Sequence, residues 1–193
     1  MIFPTRIKGK HVQGMSDDEF TEFCEDNSEL KIERSPNREI VVQEPTHFYT
    51  GGRNSEIIYQ LAKWNKEHRL GQCVDSNTGF FLSNGAMRSP DAAWISHERL
   101  NSIDKAELRK FPHLCPDFII ELKSSSDSLN DLKEKMAEWM QNGCLLGWLI
   151  DPETETVYVY QGGLQVTHNG FDKRLSGEPV LRGFEFILAD LRL

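Results

Sequence analysis

With 193 residues, 38% hydrophobic and 27% charged, the chain has the make-up of one globular domain with a sizeable core, and no linker-like stretch or internal repeat divides it. A net charge of −8 excludes a protein that coats nucleic acid nonspecifically, but leaves room for an enzyme that meets phosphates in a local, metal-neutralised cleft. No apolar run approaches the ~18 residues of a membrane span, and Met1 to Met15 carries no signal-peptide core, so the expectation is a cytoplasmic protein that makes no membrane contact.

In chain order, Ser16-Asp17-Asp18-Glu19 is a capping box that starts a short helix with Phe20 and Phe23 on one side. Leu30 to Arg34 and Glu39 to Val42 alternate around Ser35-Pro36-Asn37 and predict a hairpin. Gly51-Gly52 predicts a break. A helix from Asn54 to about His68 then carries Ile57, Ile58, Leu61 and Trp64 on one stripe, with Gly71 as its stop and Glu56 off the stripe. Phe80 to Leu82, Ser83-Asn84-Gly85 and Ala86 to Ile95 predict a second hairpin, because Asn-Gly accepts positive φ at both turn positions. On its second strand Asp91, Ala93 and Ile95 share one face, and Pro90, Ala92 and Trp94 the other. Pro90 has no ladder donor, so the strand is irregular there or at an edge.

Ser102 to Lys110 predicts a short helix, ended by Phe111-Pro112. The run Pro116 to Ser124 predicts a buried strand through Phe118, Ile119, Ile120 and Leu122. Glu121 and Lys123 interrupt it on one face, by the two-residue period of a strand. Opposite charges at the end of a core strand are disfavoured unless something uses them, as a divalent cation and a phosphate would. The plainer reading is a strand that reaches the surface in an exposed ion pair. Ser126 or Asp127 caps a further helix with Leu129, Leu132, Met136, Trp139 and Met140 on its stripe. Lys133 and Lys135 flank that stripe, where a lysine leaning toward the end of the Glu121 strand could reach a phosphate. Cys144 to Ile150 and Thr156 to Tyr160 predict strands joined around Asp151-Pro152, and peripheral strands follow to Leu188. Strand, helix, strand implies a crossover and a mixed sheet flanked by helices, with the strands of Asp91 and Glu121 as neighbours. The four cysteines (Cys24, Cys73, Cys115, Cys144) and the six histidines fall in no metal-ligand spacing, and the cysteines read as free thiols.

Pro90-Asp91 followed by Glu121-Leu122-Lys123 resembles the PD-(D/E)XK signature of restriction-endonuclease-like nucleases. The wider wording is similar to the Uma family of restriction-endonuclease-like proteins: Arg88-Ser-Pro-Asp-Ala-Ala-Trp94, Pro116-Asp-Phe-Ile-Ile-Glu-Leu-Lys-Ser124, Gly143-x3-Gly147-Trp148-Leu-Ile-Asp-Pro152 and Val180-Leu-Arg-Gly183-Phe184. The resemblance implies an α/β fold, a restriction-endonuclease-like mixed β-sheet flanked by helices with extra N- and C-terminal β elements. It lays out one domain over residues 1–193, with an N-terminal helix and hairpin at 1–48, a nuclease core at 50–161 and a C-terminal β extension at 162–193. It further implies hydrolysis of DNA with Mg²⁺ or Mn²⁺ held by Asp91 and Glu121, Lys123 at the phosphate or attacking water, Glu56 as an added acidic residue, and a homodimer. Asp117 forms a second Pro-Asp, but lies four residues from Glu121, ~13 Å along a strand, too far to share a cation. A second reading keeps the fold without physiological cleavage, as a binding or assembly module.

Overall fold

A computed structural model describes residues 5–192, so the first four residues of the Met1 to Met15 stretch lie outside the described part. Its elements in chain order begin with β1 (Thr5–Ile7), α1 (Lys10–Gln13), α2 (Asp17–Asp26), β2 (Lys31–Arg34), β3 (Ile40–Gln43), α3 (Phe48–His68) and β4 (Gly71–Asp75). Then come β5 (Phe80–Phe81), β6 (Met87–Arg88), β7 (Ala92–Ser96), α4 (His97–Asn101), a 3-10 turn at Glu107–Arg109, β8 (Phe118–Leu122) and α5 (Leu129–Gln141). The chain ends with β9 (Leu146–Asp151), β10 (Thr156–Gln161), β11 (Leu164–Asn169), β12 (Arg174–Ser176), β13 (Glu185–Ile187) and a 3-10 turn at Leu188–Leu191. They form two compact units, neither continuous in sequence. One comprises Met1–Pro45, Ser76–Ser89 and Ile103–Cys115; the other comprises Thr46–Asp75, Pro90–Ser102 and Pro116–Leu193.

The first unit is an antiparallel sheet of order β1-β3-β2-β6-β5. The capping box of α2 forms as its sequence predicts. Glu19 N–H donates to Ser16 Oγ at 3.2 Å, and Ser16 N–H donates to the Glu19 carboxylate at 2.7 Å. Phe20, Ile32, Ile40, Phe81 and Met87 make its core. Within it the buried Arg34 guanidinium lies over the rings of Phe20 and Phe81 and donates to Asp17 at 2.5 Å.

The second unit is a six-stranded mixed sheet of order β11-β10-β9-β8-β7-β4. Only β8 and β9 run parallel, and α5 connects them. One face carries Ala92, Trp94, Phe118, Ile120, Leu122, Leu146, Trp148 and Ile150. These pack with Ile57, Leu61 and Trp64 of α3 and with Phe184, Phe186, Leu188 and Leu191 near the C-terminus. By the two-residue alternation of strands, the other face carries Ile119, Glu121, Gly147 and Leu149. Gly147 lets α5 approach closely, since a Cβ there would meet Met136 Cε at 2.6 Å.

Five boundaries differ from the sequence expectation. Helix α3 begins at Phe48, so Gly51-Gly52 lie inside it. The ~1 kcal/mol per glycine that this costs is overridden by a 21-residue helix that buries Ile57, Leu61 and Trp64 and anchors its N-terminal half through Arg53 Nε donating to Leu191 O at 3.0 Å. Arg69, in the left-handed region at φ 55, ends α3. Gly71 instead opens β4, where a Cβ would lie 2.1 Å from Ile95 O. The strand expected from Ala86 to Ile95 is two strands: β6 pairs with β5, β7 pairs with β8, and the chain changes unit between Ser89 and Pro90. Finally, the helix expected at Ser102 to Lys110 is α4 at His97–Asn101, capped by Ser96, plus the separate 3-10 turn, and the cap of α5 is Ser128, with Asp127 turned to Ser124 N–H.

Candidate active site

Everything at the candidate site follows from the pairing of β7 with β8. The ladder matches Ala92 with Ile120 and Ala93 with Ile119, antiparallel. Carried one residue further, this register sets Asp91 opposite Glu121, and residues directly opposite on antiparallel strands project from the same face. The strand proper begins at Ala92, after Pro90-Asp91, and the Asp91 side chain supplies an acceptor to β8 just beyond the last ladder pair. Asp91 Oδ2 accepts from Leu122 N–H at 2.8 Å. The two strands are neighbours, as expected from sequence.

Glu121 is a charged group only 3% exposed, and its carboxylate is met by two residues one helical turn apart on α5. Trp139 Nε1 donates to Oε1 at 2.9 Å. Lys135 Nζ donates to Oε2 at 3.1 Å and lies 3.0 Å from Oε1. These bonds make burial of the carboxylate tolerable. Lys123 follows β8 immediately, and its N–H donates to Ile150 O at 2.8 Å. Its ammonium donates to Glu153 Oε2 at 3.2 Å and Ser124 O at 3.3 Å.

Helix α3 covers the face of the sheet opposite Glu121, and Glu56 Oε1 accepts from Gln60 Nε2 at 3.0 Å. Gln60 in turn bonds both main-chain groups of Ile187. Asp117 serves the far end of β8: Oδ2 accepts from Ser96 N–H at 2.7 Å and Oδ1 pairs with Arg99 at 3.1 Å.

Trp139 and Asp151 were passed over in the sequence. Trp139 read only as a core residue of the helix stripe. Its distance of one turn from Lys135, under the Glu121 strand, was the available signal. Asp151 ends β9, whose parallel register with β8 puts it on the face of Glu121, and its Oδ1 accepts from Glu153 N–H at 3.1 Å. An acid at the end of a strand parallel to that of Glu121 was the signal there. The four cysteines are free thiols. Burial pushes the Cys24 thiol up to about 11 and the Cys73 thiol up to about 12, which keeps both protonated and unreactive.

Among the described residues no group of three or more His, Cys, Asp or Glu side chains is placed to hold a metal ion. The Asp91 and Glu121 pair nonetheless fits a small hard cation. Both are oxygen donors, each carboxylate has about four lone-pair sites, and Mg²⁺ is commonly held by only one or two carboxylates with waters and phosphate oxygens completing its shell.

A mixed sheet flanked by helices, with an acid before one strand and Glu-x-Lys ending its neighbour, defines the restriction-endonuclease-like nucleases. Within that class the chain belongs to the Uma2 family, described as "Putative restriction endonuclease", whose profile matches residues 17–191. A crystal structure of "a putative nuclease belonging to DUF820" from Anabaena variabilis ATCC 29413 is similar with a TM-score of 0.69 and 18% identity, over 83% of this chain and 88% of that one. That likeness speaks for the fold. A chain of the cryoEM DrdV-DNA complex is similar at a TM-score of 0.40 and 16% identity, over 63% of this chain and 11% of its own. No curated protein matches. No helix among the described residues is long and apolar enough to cross a membrane.

Proposed function

We propose that the protein is a metal-dependent endodeoxyribonuclease that hydrolyses DNA phosphodiester bonds where β7 begins and β8 ends. The observation that carries the reading is the 2.8 Å bond from Leu122 N–H to Asp91 Oδ2, which holds the Asp91 carboxylate against the strand of Glu121 and Lys123. Asp91 and Glu121 would hold Mg²⁺ or Mn²⁺. When bound, the cation supplies polarisation of a phosphate oxygen and a more acidic water. Trp139 and Lys135 fix the Glu121 carboxylate, which spares it from reorganising during the reaction. Lys123 is the group for the scissile phosphate, because its partner Glu153 is 54% exposed and a solvent-screened pair of this kind is readily exchanged for a phosphate. Glu56 stays at the margin of this reading, with its carboxylate engaged by Gln60. The protein acts as one domain, in the cytoplasm, and as a homodimer that offers one site to each strand of a duplex.

One observation favours the second reading, a nuclease fold that binds without cleaving: the Glu121 carboxylate is already paired with Lys135. Incubation of the pure protein with plasmid DNA and Mg²⁺ or Mn²⁺, beside Asp91→Ala, separates the two. Nicking by the parent alone supports the nuclease. Equal nicking by both sinks the assignment of this site. Mn²⁺ binding without nicking moves the protein to the second reading.

A further inference from the structure

Residues 156–171 contain no Asp, Glu, Lys or Arg, in a chain that is 27% charged. The structure folds that run into the β10–β11 hairpin at one edge of the six-stranded sheet, with β11 outermost. Natural sheet edges are ordinarily guarded by charges, proline, bulges or shortness. Strand β11 has none of these: six residues pair with β10 in unbroken register, from Thr156 with Asn169 to Gln161 with Leu164. Leu164 and Val166 are 72% and 51% exposed along it.

The direction of its main-chain groups can be read from the turn. Gly162 and Gly163 both have positive φ, 57 and 79, the signature of a two-residue hairpin turn closed by a hydrogen-bonded pair, here Gln161 with Leu164. Alternation along an antiparallel ladder then turns the N–H and C=O of Leu164, Val166 and His168 toward β10, and those of Gln165, Thr167 and Asn169 outward.

We propose that β11 is the seam of a two-fold homodimer, pairing antiparallel with β11 of a second copy to make one continuous sheet. This rests on the like-subunit pairing of the preceding reading and gives it a surface. With Thr167 on the axis, Thr167 faces its own counterpart, Gln165 faces Asn169 of the second copy, and Val166 faces His168 of the second copy. Every outward main-chain group then meets an outward group of the opposite kind. No formal charge opposes another at neutral pH, which matters for two chains of net charge −8, whose approach is least repulsive along an uncharged strip. Leu164 and Val166 of both copies lie on one face of the continuous sheet, where each Val166 stands beside His168 of the other copy.

Sedimentation equilibrium of the full chain across micromolar concentrations, at low and physiological salt, tests this beside Thr167→Pro and Val166→Lys. Proline at 167 deletes an outward N–H while leaving the ladder to β10 its donors. Lysine at the half-exposed 166 places an ammonium group on each side of the axis. The parent is expected to be a dimer, and each variant to raise its dissociation constant at least 30-fold with an unchanged circular dichroism spectrum. Should Thr167→Pro lose the folded spectrum, Val166→Lys alone decides. A monomeric parent overturns both this seam and the homodimer of the proposed function. A dimeric parent whose variants remain equally dimeric overturns the seam alone.

Discussion

The Asp91 carboxylate accepts a hydrogen bond of 2.8 Å from the main-chain N–H of Leu122, the residue between Glu121 and Lys123. One side chain thereby ties the start of β7 to the end of β8 and holds its negative charge beside the neighbouring strand's Glu-x-Lys. Structural and chemical roles can be separated by substitution, because asparagine keeps an acceptor oxygen and removes only the charge. Asp91→Asn is expected to stay within ~0.5 kcal/mol of the parent in urea unfolding, and Asp91→Ala to lose about 1–2 kcal/mol through the orphaned N–H. Both should lose Mn²⁺ binding in calorimetric titration and lose plasmid nicking. Nicking that survives in Asp91→Asn would show that the charge is not what the site uses.

The two lysines near Glu121 should fail in different ways. Lys135 is 14% exposed at the side chain and pairs with the buried Glu121. Lys135→Ala is therefore expected to cost about 3 kcal/mol of stability by leaving a buried carboxylate short of its countercharge. Lys123 pairs with an exposed partner. The Lys123 side chain is itself only 11% exposed, but its loss leaves no buried charge behind, so Lys123→Ala should cost about 1 kcal/mol, mainly through its packed stem, and lower nicking by about 10²–10⁴-fold. Denaturation midpoints and nicking rates on the same preparations check both. If Lys123→Ala cuts at the parent rate, Lys135 takes the role at the phosphate.

Glu56 makes a local bond to Gln60, on the helix that covers the opposite face of the sheet. Glu56→Gln should change nicking by no more than about threefold and leave Mn²⁺ affinity unaltered, since a loss of one kcal/mol is already about fivefold. A hundredfold loss would bring Glu56 into the site.

In the first unit, His113 bridges two acids: Nε2 lies 3.0 Å from Asp17 and Nδ1 3.3 Å from Glu107. Burial works against the imidazolium, but hydrogen bonds and charge from Asp17 and Glu107 outweigh it and hold the His113 pKa above its ordinary 6.5. Burial likewise raises Asp17, yet Arg34 and His113 outweigh it and hold that carboxyl below its ordinary range. The raised histidine contributes stability that is fully present below its unfolded pKa and is lost as pH rises through the folded one. The lowered aspartate contributes stability present above its unfolded pKa and lost as pH falls through the folded one. The bridge is therefore strongest in weak acid. With the His113 side chain more than half exposed, solvent screening leaves ~0.5 kcal/mol. The stability gap between parent and His113→Gln should be widest near pH ~5–6 and close toward pH ~9. A gap that is flat from pH ~5 to ~9 would remove the ion bridge.

What the sequence determined by itself was whatever depends on neighbours along the chain. The Ser16 and Glu19 capping box and the apolar stripe of α5 are local, and both formed; the hairpin at Asn84-Gly85 formed too, with positive φ at Gly85 alone rather than at both positions. The mixed sheet and its class were legible too, because Pro90-Asp91 and Glu121-Leu122-Lys123 carry family wording on predictable strands. Tertiary structure decided the rest. Helix α3 extends through Gly51-Gly52 because burial of its apolar stripe and the Arg53 anchor outweigh local propensity. The Ala86 to Ile95 run splits because its two halves find different partners, β5 and β8. The direction of Lys123, the placing of Lys135 and Trp139 on Glu121 and the turning of Glu56 to Gln60 depend on which helix covers which face of the sheet. A charged side chain has several rotamers within reach, and only contacts between residues distant in sequence select one of them.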